Sequence, residues 1–139
     1  MVIMAVDYGD SRTGIALCDA LEMMAFPKTV IKAYNMEKVA DAVVSEANNC
    51  KAELLVVGNP KNMDGSEGFR SEKCKELVSL LETKTDLKVV LWDERLSTVS
   101  AYQSFNEVNL RGKKRKENVD AQAAVVILQS YLDYHSNHR

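Results

Sequence analysis

Histidine is almost missing from this sequence. The only two, His135 and His138, lie within the last five residues and read as solvated tail positions. That removes a Ser-His-Asp constellation and an imidazole-based zinc site from the body of the chain. Cysteine is equally sparse: Cys18, Cys50 and Cys74 show no metal-type spacing. Their odd number fits a reducing compartment, with each thiol read as a small buried hydrophobe. No apolar run approaches the roughly 20 residues of a membrane span. The short apolar start lacks the basic lead-in of a secretory signal, so a cytoplasmic location without membrane attachment is expected. A formal net charge of −2 excludes bulk attraction to nucleic acid or anionic lipid, though not a local basic patch. A phosphate loop of the G-x-x-x-x-G-K-[ST] type is absent as well.

What the sequence does hold is ordinary globular material, 46% hydrophobic and 27% charged over 139 residues. This is enough for one domain, residues 1–139, with a core of its own. The stretch from Val2 to Val6 is apolar without interruption and runs straight into Asp7. Continuous apolar strands belong at the centre of a sheet, buried on both faces. Alternation puts Asp7 on the face of Ile3 and Ala5. Burial of a carboxylate there is costly unless something compensates its charge.

Gly9 and Gly14 bracket a turn into a second strand at about 13–19, and Lys28–Ala33 reads as a third, more exposed strand. These connections are too short for crossovers, so the three strands are antiparallel. Asn35 is positioned to cap a helix from Met36 to about Asn48. Glu53–Gly58 is a buried parallel strand, followed by a turn-rich loop containing Gly65 and Gly68. A helix over about 69–83, a fifth strand from Leu87 to Trp92 and a helix from Ser97 or Thr98 to about Asn106 come next. A basic segment, 109–117, precedes a last helix from about Asn118 to Leu132, and the tail from Asp133 frays. The expected fold is α/β: a five-stranded mixed sheet, three antiparallel then two parallel strands, flanked by about four helices.

Three apolar elements end or begin on acids: the first strand on Asp7, the fifth on Asp93-Glu94, and the last helix on Asp120. In that helix Asp120, Ala124, Ile127 and Tyr131 share one stripe, while Gln122, Gln129 and Asp133 form the solvated side. Converging carboxylates raise one another's pKa unless a cation neutralises them. Oxygen-only ligands select a hard ion, Mg²⁺ or Mn²⁺. Such an ion clamps a phosphodiester and activates a water. Arg111, Lys113, Lys114, Arg115 and Lys116 place five cations in six positions just before Asp120. With Arg12 and Arg95 they are candidate contacts to a phosphate backbone. Alternation alone does not choose between Asp93 and Glu94, since neighbours on a strand face opposite sides.

Four motifs occur in order: Asp7-x-Gly9-x-x-Arg12-x-Gly14-x-Ala16, Gly58-x-Pro60-x-x-Met63-Asp64-Gly65-Ser66-x-Gly68, Trp92-Asp93-Glu94-Arg95-Leu96-Ser97-Thr98, and Val119-Asp120-Ala-x-Ala-Ala with Ile127-Leu-Gln-x-Tyr-Leu132. Together they resemble the YqgF family, also called RuvX, of the RNase H-like superfamily. The resemblance spans nearly the whole chain. It implies a metal-dependent bacterial nuclease, described in the family as processing the 5′ end of precursor 16S ribosomal RNA and as a Holliday junction resolvase. It also implies Asp7, Glu94 and Asp120 as catalytic acids and metal ligands, and it favours Glu94 over Asp93. RuvC-type resolvases place a further acid one turn after the helix carboxylate, where this chain has Ala123 and Ala124. Structured RNA is the favoured partner and branched DNA the alternative. A further alternative is a non-catalytic nucleic-acid-binding or ribosome-assembly module. The first hairpin also resembles that of actin-like ATPases, but those need a second similar domain for which the chain has no room. Monomer and homodimer are both compatible with the sequence.

Overall fold

A computed structural model of the chain describes residues 1–59, 68–93 and 115–137, with the backbone alone at 69–70, 115–120 and 136–137. The elements run β1 (Ile3–Asp7), β2 (Arg12–Cys18), β3 (Ala25–Lys32), α1 (Met36–Cys50), β4 (Leu54–Asn59), α2 (Phe69–Lys84), β5 (Lys88–Asp93) and α3 (Arg115–Asn137). The expected helix after Ser97, and most of the basic segment, lie outside the described residues. The strands form one sheet in the order β3-β2-β1-β4-β5. β1 pairs antiparallel with β2 and parallel with β4, and β4 pairs parallel with β5. The three carboxyl ends of β1, β4 and β5 therefore share one edge.

Burial explains why the first strand is central. Ile3, Met4, Ala5 and Val6 are all at most 1% exposed. Met4 and Val6 pack with Val39, Val43, Leu77 and Leu81 of α1 and α2. Ile3 and Ala5 pack with Ala124, Val125, Ile127 and Leu128 of α3 on the other face. Each large side chain buried this way contributes roughly 1.5–3 kcal/mol before entropy is counted. Ala121 and Ala124 are buried, and small residues at these places let α3 lie close to the sheet. Asn35 caps α1 as expected: its Oδ1 accepts from the backbone N–H groups of Glu37 (2.8 Å) and Lys38 (3.3 Å). Lys84 of α2 reaches across to Asp41 (2.9 Å) and Glu37 (3.7 Å) of α1, which holds its ammonium above the ordinary lysine range.

Four expectations need correction. β3 begins at Ala25, three residues before the expected start, because Pro27 lacks only an N–H and an edge strand tolerates that loss. α3 begins at Arg115 and runs to Asn137, so the last two cations of the basic stretch, Arg115 and Lys116, belong to its first turn. Arg, Lys and Glu are good helix formers, but they gave no apolar period to read there. Gln122, expected on the solvated side, is only 6% exposed. The helix also includes residues expected to fray: His135 belongs to its last turn and meets Tyr131 at a tilt of 44°, ring centroids 4.2 Å apart.

Two buried groups carry no chemistry. None of the three cysteines forms a disulfide, and burial pushes the Cys18 thiol up from its ordinary pKa. Its sulfur accepts from the Ile3 N–H at 3.2 Å. Among the described residues, no helix is long and apolar enough to cross a membrane. Thr13 is fully buried opposite Ile31, and its hydroxyl has no hydrogen-bond partner. A stranded hydroxyl costs about 1–3 kcal/mol. Thr13→Val, of nearly the same shape, is expected to raise unfolding stability by about 1 kcal/mol in denaturant titration, whereas Thr13→Ala is expected to lower it by opening a cavity.

Candidate active site

The site is built on the end of β1. Asp7 lies opposite Gly14 of β2, one row beyond the pair Val6–Ile15. By alternation it stands on the face of Ile3 and Ala5, the face that α3 covers, and it is half-buried. Gly14 brings no side chain of its own to the position opposite the carboxylate. The turn that follows is tight: a Cβ on Gly9 would run into the backbone carbonyl of Arg12. That close approach delivers Arg12 to the start of β2, two residues before Gly14 and therefore on the same face as Asp7. Tyr8 points the other way, into the core beside Cys74, and burial raises its phenol above the ordinary range, with Asp10 adding to the shift.

The neighbouring strand ends place one of the two candidate acids, Asp93, which ends β5. Gly58 pairs with Trp92 and Asn59 with Asp93. Asp93 continues the face of Val89 and Leu91, which pack with α1 and α2. It therefore stands on the side of the sheet opposite Asp7. Asn59 shares that side: it is 3% exposed, and its Oδ1 accepts from the Ser71 hydroxyl of α2 at 2.5 Å. This bond ties the carboxyl end of β4 to the first turn of α2. Trp92 stands on the Asp7 side. Its indole N–H donates to Ser130 at 3.2 Å, and its ring meets Tyr131 and Tyr134 edge-on at 5.1 and 5.3 Å. That aromatic contact fixes β5 against α3 immediately before the acidic pair.

Of the expected site residues, Asp7 and Arg12 are thus brought to one edge and one face. Asp120 lies in α3, one helical turn before the buried Ala124, on the helix that covers that face. It is the sixth helical residue, past the first turn where the macrodipole would account for an acid. Arg115 opens the same helix. Glu94, Arg95, Lys113 and Lys114 lie outside the described residues. Among the described residues, no group of three His, Cys, Asp or Glu side chains is gathered for a metal. The sequence reading missed Asn59 and Ser71, since a hydrogen bond spanning twelve positions leaves no local pattern. It also passed over Lys32, although Lys32 pairs with Arg12 across β2 and β3.

A mixed sheet in this order, helices on both faces and an acid ending the central strand define an RNase H-like fold. Solved structures agree. The Thermus thermophilus RuvC bound to a Holliday junction substrate superposes with TM-score 0.68 at 14% identity, covering 99% of this chain and 96% of that one. The fowlpox virus resolvase bound to junction DNA gives 0.56 at 13% identity, covering 97% and 99%. Sequence then narrows the class. The RuvX family, described as Holliday junction resolvase, matches residues 1–134, and the chain belongs to it. A Halothermothrix orenii protein named "Putative pre-16S rRNA nuclease" is 42% identical over 134 residues, 96% of either chain. One of the same name from Agathobacter rectalis is 39% identical, covering 100% of this chain and 99% of its own.

Loss of the Ser71 hydroxyl would leave the Asn59 side chain buried beside an empty position. Ser71→Ala is expected to destabilise the fold by about 1–3 kcal/mol in denaturant titration. An unchanged midpoint would remove this bond as a support of the edge.

Proposed function

We propose that the chain is a divalent-metal-dependent nuclease that hydrolyses phosphodiester bonds in structured nucleic acid. Its favoured substrate is the 5′ end of precursor 16S ribosomal RNA, met in the cytoplasm. The observation that carries this reading is the placement of Asp7: a carboxylate ending a strand buried on both faces, with Arg12 beside it. Asp93 is turned to the opposite face, which supports Glu94 as its partner acid, and Asp120 is offered by the helix covering Asp7. The donor set suits Mg²⁺ or Mn²⁺, because it consists of carboxylate oxygens and no soft ligand. Asp7, Glu94 and Asp120 would hold the ion, which when bound supplies Lewis-acid charge at the scissile phosphate.

The remaining residues position the substrate. Arg12 shares the face of Asp7 and would meet a phosphate oxygen held there, for which a guanidinium offers paired hydrogen bonds. Arg95, Lys113, Lys114 and Arg115 would add cations for the phosphate backbone, so binding would depend on salt although the whole protein is slightly acidic. A carboxylate that must stay ionised beside two others relies on the cation to keep its proton off.

Branched DNA is the second reading, favoured by the family's description and by the junction-bound structures sharing the fold. Cutting two strands symmetrically would require a homodimer, whereas trimming one RNA end is open to a monomer. The test is a paired cleavage assay in Mg²⁺ and Mn²⁺ on precursor ribosomal RNA and on a four-way junction. Asp7→Asn and Asp120→Asn are each expected to lower cleavage by at least about 1,000-fold, comparable with removal of a principal electrostatic group, while binding is retained. Cleavage that survives both substitutions would exclude the site, and binding without cleavage by the unaltered chain would favour a non-catalytic module.

A further inference from the structure

The edge that carries Asp7 continues across β2 and β3 to Lys32. Gly14 pairs with Val30, and Arg12 pairs with Lys32. Residues directly opposite on paired strands share a face, so Asp7, Arg12 and Lys32 stand on the side that α3 covers, the pair Arg12–Lys32 two residues beyond the row of Asp7, Gly14 and Val30. Lys32 is exposed at the last position of β3. Sheet spacing puts its Cα about 12 Å from that of Asp7. Two residues further on stands Tyr34.

Tyr34 is held on both sides and yet packs against little. Before it, the Ala33 N–H donates to the Ser11 carbonyl at 3.1 Å, which fastens the connector to the turn that delivers Arg12. After it, Asn35 caps α1 through two backbone bonds. An apolar residue just before an N-cap commonly staples onto the fourth residue of the helix. Here that residue is Val39, fully buried in the core, while Tyr34 stays 86% exposed. The ring contributes nothing to the hydrophobic staple its position offers. Among the charges around it, Lys32 and Lys38 are exposed cations, Glu37 is drawn towards Lys84, and Asp10 on the neighbouring turn is the opposing carboxylate. An exposed aromatic on a fixed backbone, flanked by lysines and leading away from a phosphate-cleaving edge, is the composition of a single-stranded nucleic-acid path.

We propose that Tyr34 and Lys32 form a subsite for an unpaired nucleotide next to the cleaved segment, Tyr34 stacking on the base and Lys32 meeting the adjoining phosphate. The proposal rests on the nuclease reading for the identity of the ligand, and it names the substrate feature recognised: an unpaired strand flanking the cut. A nucleotide held in this way fixes the register in which the strand enters the acid edge.

The test uses the full chain in EDTA, so that cleavage does not enter. The probe is a short single-stranded RNA carrying a fluorescent adenine analogue, with the same sequence as a full duplex for comparison. Tyr34→Ala is expected to weaken single-strand binding roughly 5- to 100-fold and to abolish the stacking quench. Tyr34→Phe is expected to keep both, and duplex binding is expected not to change. Lys32→Gln is expected to flatten the salt dependence by about 0.7 of a unit of slope while leaving the quench intact. Single-strand affinity unchanged by Tyr34→Ala, or an equal loss on duplex RNA, would overturn the subsite. Because the ring is exposed, Tyr34→Ala is expected to melt as the unaltered chain does. The two readings fail separately: a chain that stacks RNA but never cuts it contradicts the nuclease, whereas one that cuts but is indifferent to Tyr34→Ala contradicts the subsite.

Discussion

Burial of β1 on both faces is the constraint on which the rest depends. Four consecutive side chains from Ile3 to Val6 are withdrawn from water, two towards α1 and α2 and two towards α3. A strand packed so fully cannot slip by one residue without turning its whole apolar set to the wrong face. The position and direction of Asp7 are therefore set by the packing of the strand it ends. The same packing fixes the parallel neighbours, so the ends of β4 and β5 arrive at the same edge in a set register.

That register gives the acid edge its asymmetry. Asn59 and Asp93 are paired on the face of α1 and α2, and Asn59 is bound into the structure by Ser71. Asp7 and Arg12 stand on the face of α3, with Trp92 holding β5 against that helix. Strand is thus held to helix on both faces of the edge, by Asn59 and Ser71 on one and by Trp92 and Ser130 on the other, and Asp7 and Arg12 share the second face. Gly9 matters for a simple reason: it permits the close approach of the Arg12 carbonyl.

Much of this was legible in the sequence, because β1, β4 and the apolar stripe of α3 bury so completely that their patterns leave little choice. Asp7 was legible for the same reason, as an acid at the end of a run that should contain none. Other features left weaker traces. The start of β3 was hidden by Pro27, whose cost depends on the strand lying at an edge, a fact of topology. The first turn of α3 was hidden by its own polarity, and Gln122 by a helical wheel that cannot know how deep a helix lies. The face on which Asp93 stands could not be read without the strand register. The Asn59–Ser71 bond and the isolation of Tyr34 are tertiary facts with no periodic signature.

The central claim is that the acid set gathers about Asp7 on one face of the sheet, and Mn²⁺ binding followed by electron paramagnetic resonance tests it most directly. With the full chain and its Asp7→Asn, Glu94→Gln and Asp93→Asn variants, the account predicts that the first two lose the bound-metal signal and that Asp93→Asn keeps the affinity of the unaltered chain. Loss of Mn²⁺ by Asp93→Asn with retention by Glu94→Gln would contradict it.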